Sequence, residues 1–208
     1  MEWIFALVTA SAVGWLLVAE RRGSRLRFVA KPLASSGFIG LAVSAGVLDS
    51  GFGIWVLAAL VLSAVGDVAL LGSSEGAFLS GLGAFLAAHI AYAVAFLRPG
   101  LHTGRLVAAI PLAVFAAVVW RWLRPHLPRR MRVPVVVYVL AISLMGLLAF
   151  ATRADDLGIP AGASLFIASD IAVARNTFVA PGYANKLWGL PLYYGGQLLL
   201  AWAAGAVG

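Results

Sequence analysis

Apolar runs of about twenty residues succeed one another along almost the whole chain, parted by stretches of only a few polar residues. A run of that length is what one helix needs to cross the hydrocarbon core of a bilayer, where every backbone N–H and C=O must find its partner within the segment. Eight runs are legible in order, at about Trp3–Ala19, Leu33–Leu48, Ile54–Leu71, Ala77–Leu97, Arg105–Leu123, Val133–Thr152, Ile159–Val179 and Leu190–Val207. The expectation is an all-α, polytopic membrane protein, a bundle of eight transmembrane helices that forms a single domain over residues 1–208. The 62% of hydrophobic residues, against roughly 45–50% in soluble domains, supports this and leaves no length for a soluble catalytic domain.

The net charge of +7 could suggest a nucleic-acid partner, but the basic residues lie in short loops between apolar runs, so none is expected. They read as topology determinants and as contacts for anionic lipid headgroups. Twelve of the 15 Lys and Arg fall in loops on one side: Arg21, Arg22, Arg25, Arg27 and Lys31; Arg121, Arg124, Arg129, Arg130 and Arg132; and Arg175 with Lys186. The other side has Arg98, Arg105 and Arg153. The positive-inside rule places the first set in the cytoplasm and both termini outside. Glu2 stands where a leader would be basic, so Trp3–Ala19 reads as a retained first span rather than a signal peptide. Pro32 suits the first turn of span two, whose glycines and serines favour close helix approach.

Few polar side chains interrupt the spans: Asp67, His89, Tyr92, Tyr138, Ser169, Asp170, Tyr193, Tyr194 and Gln197. Asp67 and Asp170 matter most, because a lone carboxylate at bilayer depth costs at least ~2.5 kcal/mol and is by default a functional site with a partner nearby. Counted from the cytoplasmic span ends, Asp67, Gln197, Asp170 and His89 lie roughly 7 to 18 Å deep at ~1.5 Å per residue. One cavity open to the cytoplasm accommodates them all. Each has a plainer reading: a histidine satisfied between helices, tyrosines in an interfacial aromatic belt, Lys31 as an interface anchor.

Several chemistries are set aside. There is no cysteine, and only His89 of the three histidines lies within a span, so no zinc site is expected. Nucleophile-elbow, P-loop and dinucleotide-binding motifs are absent from suitable contexts. No metal and no cofactor is expected.

The set Lys31-Pro32, GDVALL at 66–71, FLAAHIAY at 85–92, VYVLAISLM at 137–145, GASLFIASD at 162–170 and LYYGGQLLL at 192–200 resembles the YhhN family of multi-pass membrane proteins, which includes the TMEM86 lysoplasmalogenases. The resemblance implies hydrolysis of the vinyl ether bond of lysoplasmalogens to a fatty aldehyde and glycerophospho-ethanolamine or -choline. It implies Asp67 and Asp170 as catalytic residues, with Lys31, His89, Tyr193, Tyr194 and Gln197 at the site. Tyr138, Ser169 and Arg175 join them as expected substrate contacts. Ala174-Arg175-Asn176-Thr177 departs from the apolar continuation expected after the SD motif.

The residues suit that chemistry. Vinyl ether hydrolysis starts with proton transfer to the β-carbon and passes through an oxocarbenium ion, which glycosidases meet with two carboxylates, one acid and one base. Asp170, expected to be the deeper and more desolvated, is assigned the acid and Asp67 the ionised partner, with the reverse assignment left open. The substrate's single chain would lie among the apolar spans, its phosphate near Lys31, Arg175 or Lys186 at the cytoplasmic mouth. The expected partners are this lysophospholipid and membrane lipids, in a bacterial cytoplasmic membrane; the sequence leaves the oligomeric state open. Competing readings are a transporter or lipid permease using the aspartates as a proton relay, and a hydrolase of a different ether or ester lipid.

Overall fold

The computed structural model describes residues 2–207. Eight α-helices are present among them: α1 Glu2–Arg22, α2 Arg27–Ser44, α3 Gly51–Ala69, α4 Glu75–Leu97, α5 Ala109–Leu123, α6 Arg132–Ala151, α7 Gly158–Ala174 and α8 Tyr183–Ala206. The described residues contain no strand. Local signals explain the boundaries. Ser50 and Ser74 accept from the backbone N–H of Gly53 and Ala77 and so cap α3 and α4, while Arg21 and Arg22 close α1 against its negative dipole end.

Five helical stretches are long and apolar enough to cross a membrane: Glu2–Arg22, Gly51–Ala69, Glu75–Leu97, Thr103–His126 and Arg129–Ala151. α7 is shorter, at 17 residues, and runs on into a π-helical turn, Arg175–Val179. α2 and α8 carry much of the polar content, Lys31 and Ser35 on one and Asn185, Lys186 and Gln197 on the other.

Two boundaries differ from the sequence reading. α2 starts at Arg27, so Lys31 and Pro32 lie inside it rather than at its first turn. α8 starts at Tyr183, seven residues ahead of the expected Leu190, with Pro191 inside. In both cases the proline lies inside the helix, where it forfeits one backbone bond and tertiary contacts hold the preceding turn. Asn185 supplies such contacts, donating through Nδ2 to Ala180 O at 2.7 Å and Gly182 O at 3.3 Å.

Sequential neighbours pair as antiparallel couples, α1 on α2, α3 on α4 and α7 on α8. α8 also touches α1, α2 and α3, so one core joins these elements with α4, α6 and α7. α5 is different, since α6 is the one long helix with which it makes extensive contact. Many large apolar side chains face outward, among them Leu7, Val61, Ile110, Val114, Val133 and Leu140, as a lipid-facing surface requires.

The α7–α8 seam is close because glycines permit it. A Cβ added to Gly196 would lie 2.8 Å from Gly162 O, and one added to Gly162 would lie 2.9 Å from Gly196 O. Small residues are how membrane helices gain packing without a hydrophobic drive between them. Gly196→Val should therefore lower the thermal unfolding midpoint in detergent by several degrees, consistent with overpacking of ~1–3 kcal/mol. Gly83→Ala, with nothing within 4 Å of the new methyl, should leave the midpoint unchanged.

Candidate active site

Asp67 sits in the last turn of α3, and α2 and α8 bring donors to it. Lys31 Nζ is 3.2 Å from Oδ1. Ser35, one turn beyond Lys31 on the same face of α2, donates to Oδ2 at 2.7 Å, and Tyr193 of α8 donates to Oδ2 at 2.8 Å. Tyr194 OH is 3.5 Å from the same oxygen and donates to Lys31 O at 3.4 Å. The carboxylate is thus matched by an ammonium and hydroxyl donors while its side chain is only 3% exposed. A buried charge is tolerated when it is paired and hydrogen-bonded in this way.

Asp170, near the end of α7, has a sparser setting. Tyr138 of α6 donates to its Oδ2 at 2.9 Å, and His89 Nε2 of α4 lies 3.5 Å from that oxygen. His89 Nδ1 is 2.6 Å from Phe85 O, and a carbonyl accepts only, so Nδ1 bears a proton. Nε2 is buried and has no hydrogen-bond partner. It therefore faces the carboxyl group as a site for a second, shared proton. The Asp170 side chain is 16% exposed, against 3% for Asp67. Lys31, Ser35 and Tyr193 close over Asp67, whereas Asp170 has Tyr138 and His89 beside it.

Both carboxylates line one cavity of about 300 Å³. Its wall on the side of α1, α2 and α8 is polar, with Glu20, Arg27, Lys31, Asn185, Lys186 and Tyr193. Its wall on α4, α5 and α6 is largely apolar, with Phe78, Leu82, Phe115, Val119, Val135 and Ile142. Tyr138, Ser169 and Asp170 are also in the lining. Phe166 joins the two carboxylates' surroundings, its ring 4.6 Å from that of His89 and 5.4 Å from that of Tyr193.

Other expected site residues stand behind this wall. His89 is fully buried and reaches the cavity through Asp170. Tyr194 braces Lys31 and Asp67. Gln197 accepts from Tyr92 OH, both side chains wholly enclosed. Arg175 is outside the lining and donates to Asn185, which ties α8 to the π-helical turn after α7. That turn begins where the sequence departs from its apolar pattern. Lys186 does line the cavity, paired with Glu20 of α1. Ser35, Glu20, Arg27 and Asn185 are not singled out by the sequence. The signal for Ser35 is its spacing of four from Lys31, while Glu20 and Arg27 are hidden among loop charges. No group of three His, Asp or Glu suited to a metal occurs among the described residues.

The YhhN family model matches residues 26–204. The chain is 33% identical over 159 residues to lysoplasmalogenase TMEM86A of Bos taurus, a match covering 72% of this chain and 64% of that protein. It is 33% identical over 146 residues to a lysoplasmalogenase of Mycobacterium tuberculosis, covering 67% of this chain and 55% of that protein. With lysoplasmalogenase TMEM86B of Sus scrofa it shares 35% over 164 residues, covering 77% and 66%. The matches thus span less than two thirds of the first two relatives' length. No solved structure matches the chain.

The Lys31–Asp67 pair makes a prediction about stability. Removing one charge leaves the other buried and unpaired, at a cost of about 3–5 kcal/mol, whereas removing both relieves that. Lys31→Met should lower the unfolding midpoint in detergent strongly, and Lys31→Met combined with Asp67→Asn should recover part of the loss. Simple additivity of the two changes would show that the charges are not coupled.

Proposed function

The chain belongs to the YhhN family, and from that membership and the cavity we propose that it is an integral membrane hydrolase that cleaves the vinyl ether bond of lysoplasmalogens. The observation that carries the reading is the placing of two unlike carboxylates in one cavity between a charged wall and an apolar wall. A lysolipid has the same division, a zwitterionic headgroup joined through glycerol to one long chain. The family relatives named lysoplasmalogenase support the same substrate class.

In the proposed reaction, the Asp170–His89 pair holds one proton and delivers it to the β-carbon of the vinyl ether, with Tyr138 fixing the carboxyl orientation. The oxocarbenium ion formed is faced by Asp67, kept ionised by Lys31 and the hydroxyls of Ser35 and Tyr193. The aromatic ring of Tyr193, in the cavity lining, adds to its stabilisation. Water oriented by Asp67 adds to the cation and its released proton returns to the Asp170–His89 pair. The hemiacetal then collapses to fatty aldehyde and the glycerophospho headgroup. General acid catalysis of this kind contributes typically ~10²–10⁴-fold.

The same proposal gives eight membrane spans in one bundle. The end where α1 meets α2 faces the cytoplasm, both termini lie outside, and the protein resides in a bacterial cytoplasmic membrane. Helices α2, α7 and α8, which are not among the five long apolar stretches, cross because their polar side chains turn inward onto the site.

Purified protein should release aldehyde from a lysoplasmalogen and none from the saturated alkyl ether analogue, which cannot form the cation. Asp170→Asn and Asp67→Asn should each lower the rate by about 10²-fold or more. If both variants stay within about threefold of the parent, the two-carboxylate mechanism is wrong. His89→Gln, which keeps size and polarity but cannot share the proton in the same way, should lower kcat more than it raises KM.

A further inference from the structure

A second concavity lies where α5 ends and α6 begins, lined by Trp120, Arg121, Arg124, Pro125 and Arg132, and shares no lining residue with the candidate active site. Its volume is about 540 Å³. Three guanidinium groups border it and no acidic side chain does. The ion pair in this region, Arg130 with Glu75 at 2.9 Å, uses a different arginine. The Nε of Arg132 is buried without a hydrogen-bond partner. Like charges repel, and an orphaned buried donor costs about 1–3 kcal/mol, so this arrangement calls for an anion.

Two further features point the same way. Arg132 occupies the first turn of α6, which has no acidic residue and no side-chain cap, so the positive end of the helix dipole adds to the guanidinium charge. Trp120 and Trp122, with arginines on either side, suit the boundary between hydrocarbon and headgroups. We propose that this concavity binds the phosphate group of an anionic phospholipid, with Arg121, Arg124 and Arg132 as its ligands. Guanidinium forks match phosphate oxygens in pairs, which a lysine ammonium does not.

The site has a structural consequence. α5 rests on α6, and its inward face, through Phe115, Val119 and Leu123, is part of the apolar wall of the active-site cavity. A phosphate bridging Arg121 and Arg124 of the α5 end to Arg132 of α6 fastens α5 at one end.

The test uses the full chain in detergent, with native mass spectrometry and thermal unfolding as readouts. The probes are dioleoyl phosphatidylglycerol, dioleoyl phosphatidylcholine and inorganic phosphate. Phosphatidylglycerol should be retained over phosphatidylcholine and should raise the unfolding midpoint. Each arginine is worth about fivefold in retention. Arg121→Gln with Arg124→Gln, both at exposed positions, should abolish the preference while the lipid-free midpoint stays near that of the parent. Arg22→Gln with Arg25→Gln, in a different basic loop, should preserve it. If inorganic phosphate raises the midpoint equally and displaces the lipid, the ligand is free phosphate and the lipid assignment falls. Equal retention of the two lipids, or equal loss in both double variants, overturns the site.

Discussion

The buried ion pair between Lys31 and Asp67 is the interaction on which the rest depends. It joins α2 to α3, and through Tyr193 and Tyr194 it joins both to α8. Neither charge is tolerable alone at that depth, so the three helices are committed to one register. α8 in turn is packed along α7 by the Gly162–Gly196 contact, and α7 carries Asp170. One polar cluster thus sets the position of the second carboxyl group without touching it.

That cluster also makes the surroundings of the two aspartates unlike. Asp67 is surrounded by donors: an ammonium, a serine hydroxyl and a tyrosine hydroxyl all point at it. Such a set of donors is what a buried carboxylate needs. Asp170 has one hydroxyl donor and, opposite, an imidazole nitrogen with no other partner. The difference lies in the partners, since both are aspartates near the ends of apolar helices.

How much of this could be read from the sequence follows from the range of the interactions. The helices are legible because apolar length is a local property, and the importance of Asp67 and Asp170 is legible because a carboxylate in an apolar run is conspicuous. The start of α8 is not, since the buried bonds of Asn185 that hold its first turn come from residues before the helix and from the turn after α7. The partnership of Ser35 with Asp67 is a contact between helices, and nothing in the run Leu33-Ala34-Ser35-Ser36 distinguishes Ser35 from Ser36, which bonds to Leu33 O and is exposed. The partners of the two aspartates are not legible for a related reason. Depth along a helix measures distance from the span end, but enclosure is decided by what the neighbouring helices place over the side chain.

The sparse packing of α5 leaves one wall of the cavity less firmly held than the other. A cavity closed on every side by interlocked helices would have to open for each substrate against the cost of parting packed side chains. Here the apolar wall is completed by a helix that rests mainly on α6, and its outer face, with Ile110, Val114 and Val118, is exposed as for hydrocarbon. Displacing it from the cavity would exchange apolar contacts with protein for apolar contacts with lipid, which differ little in free energy because no water is released. On the opposite wall the same exchange would unpair Lys31 and Asp67, so that side stays fixed. The cavity thus combines a charged wall held by paired groups with an apolar wall completed by a sparsely packed helix.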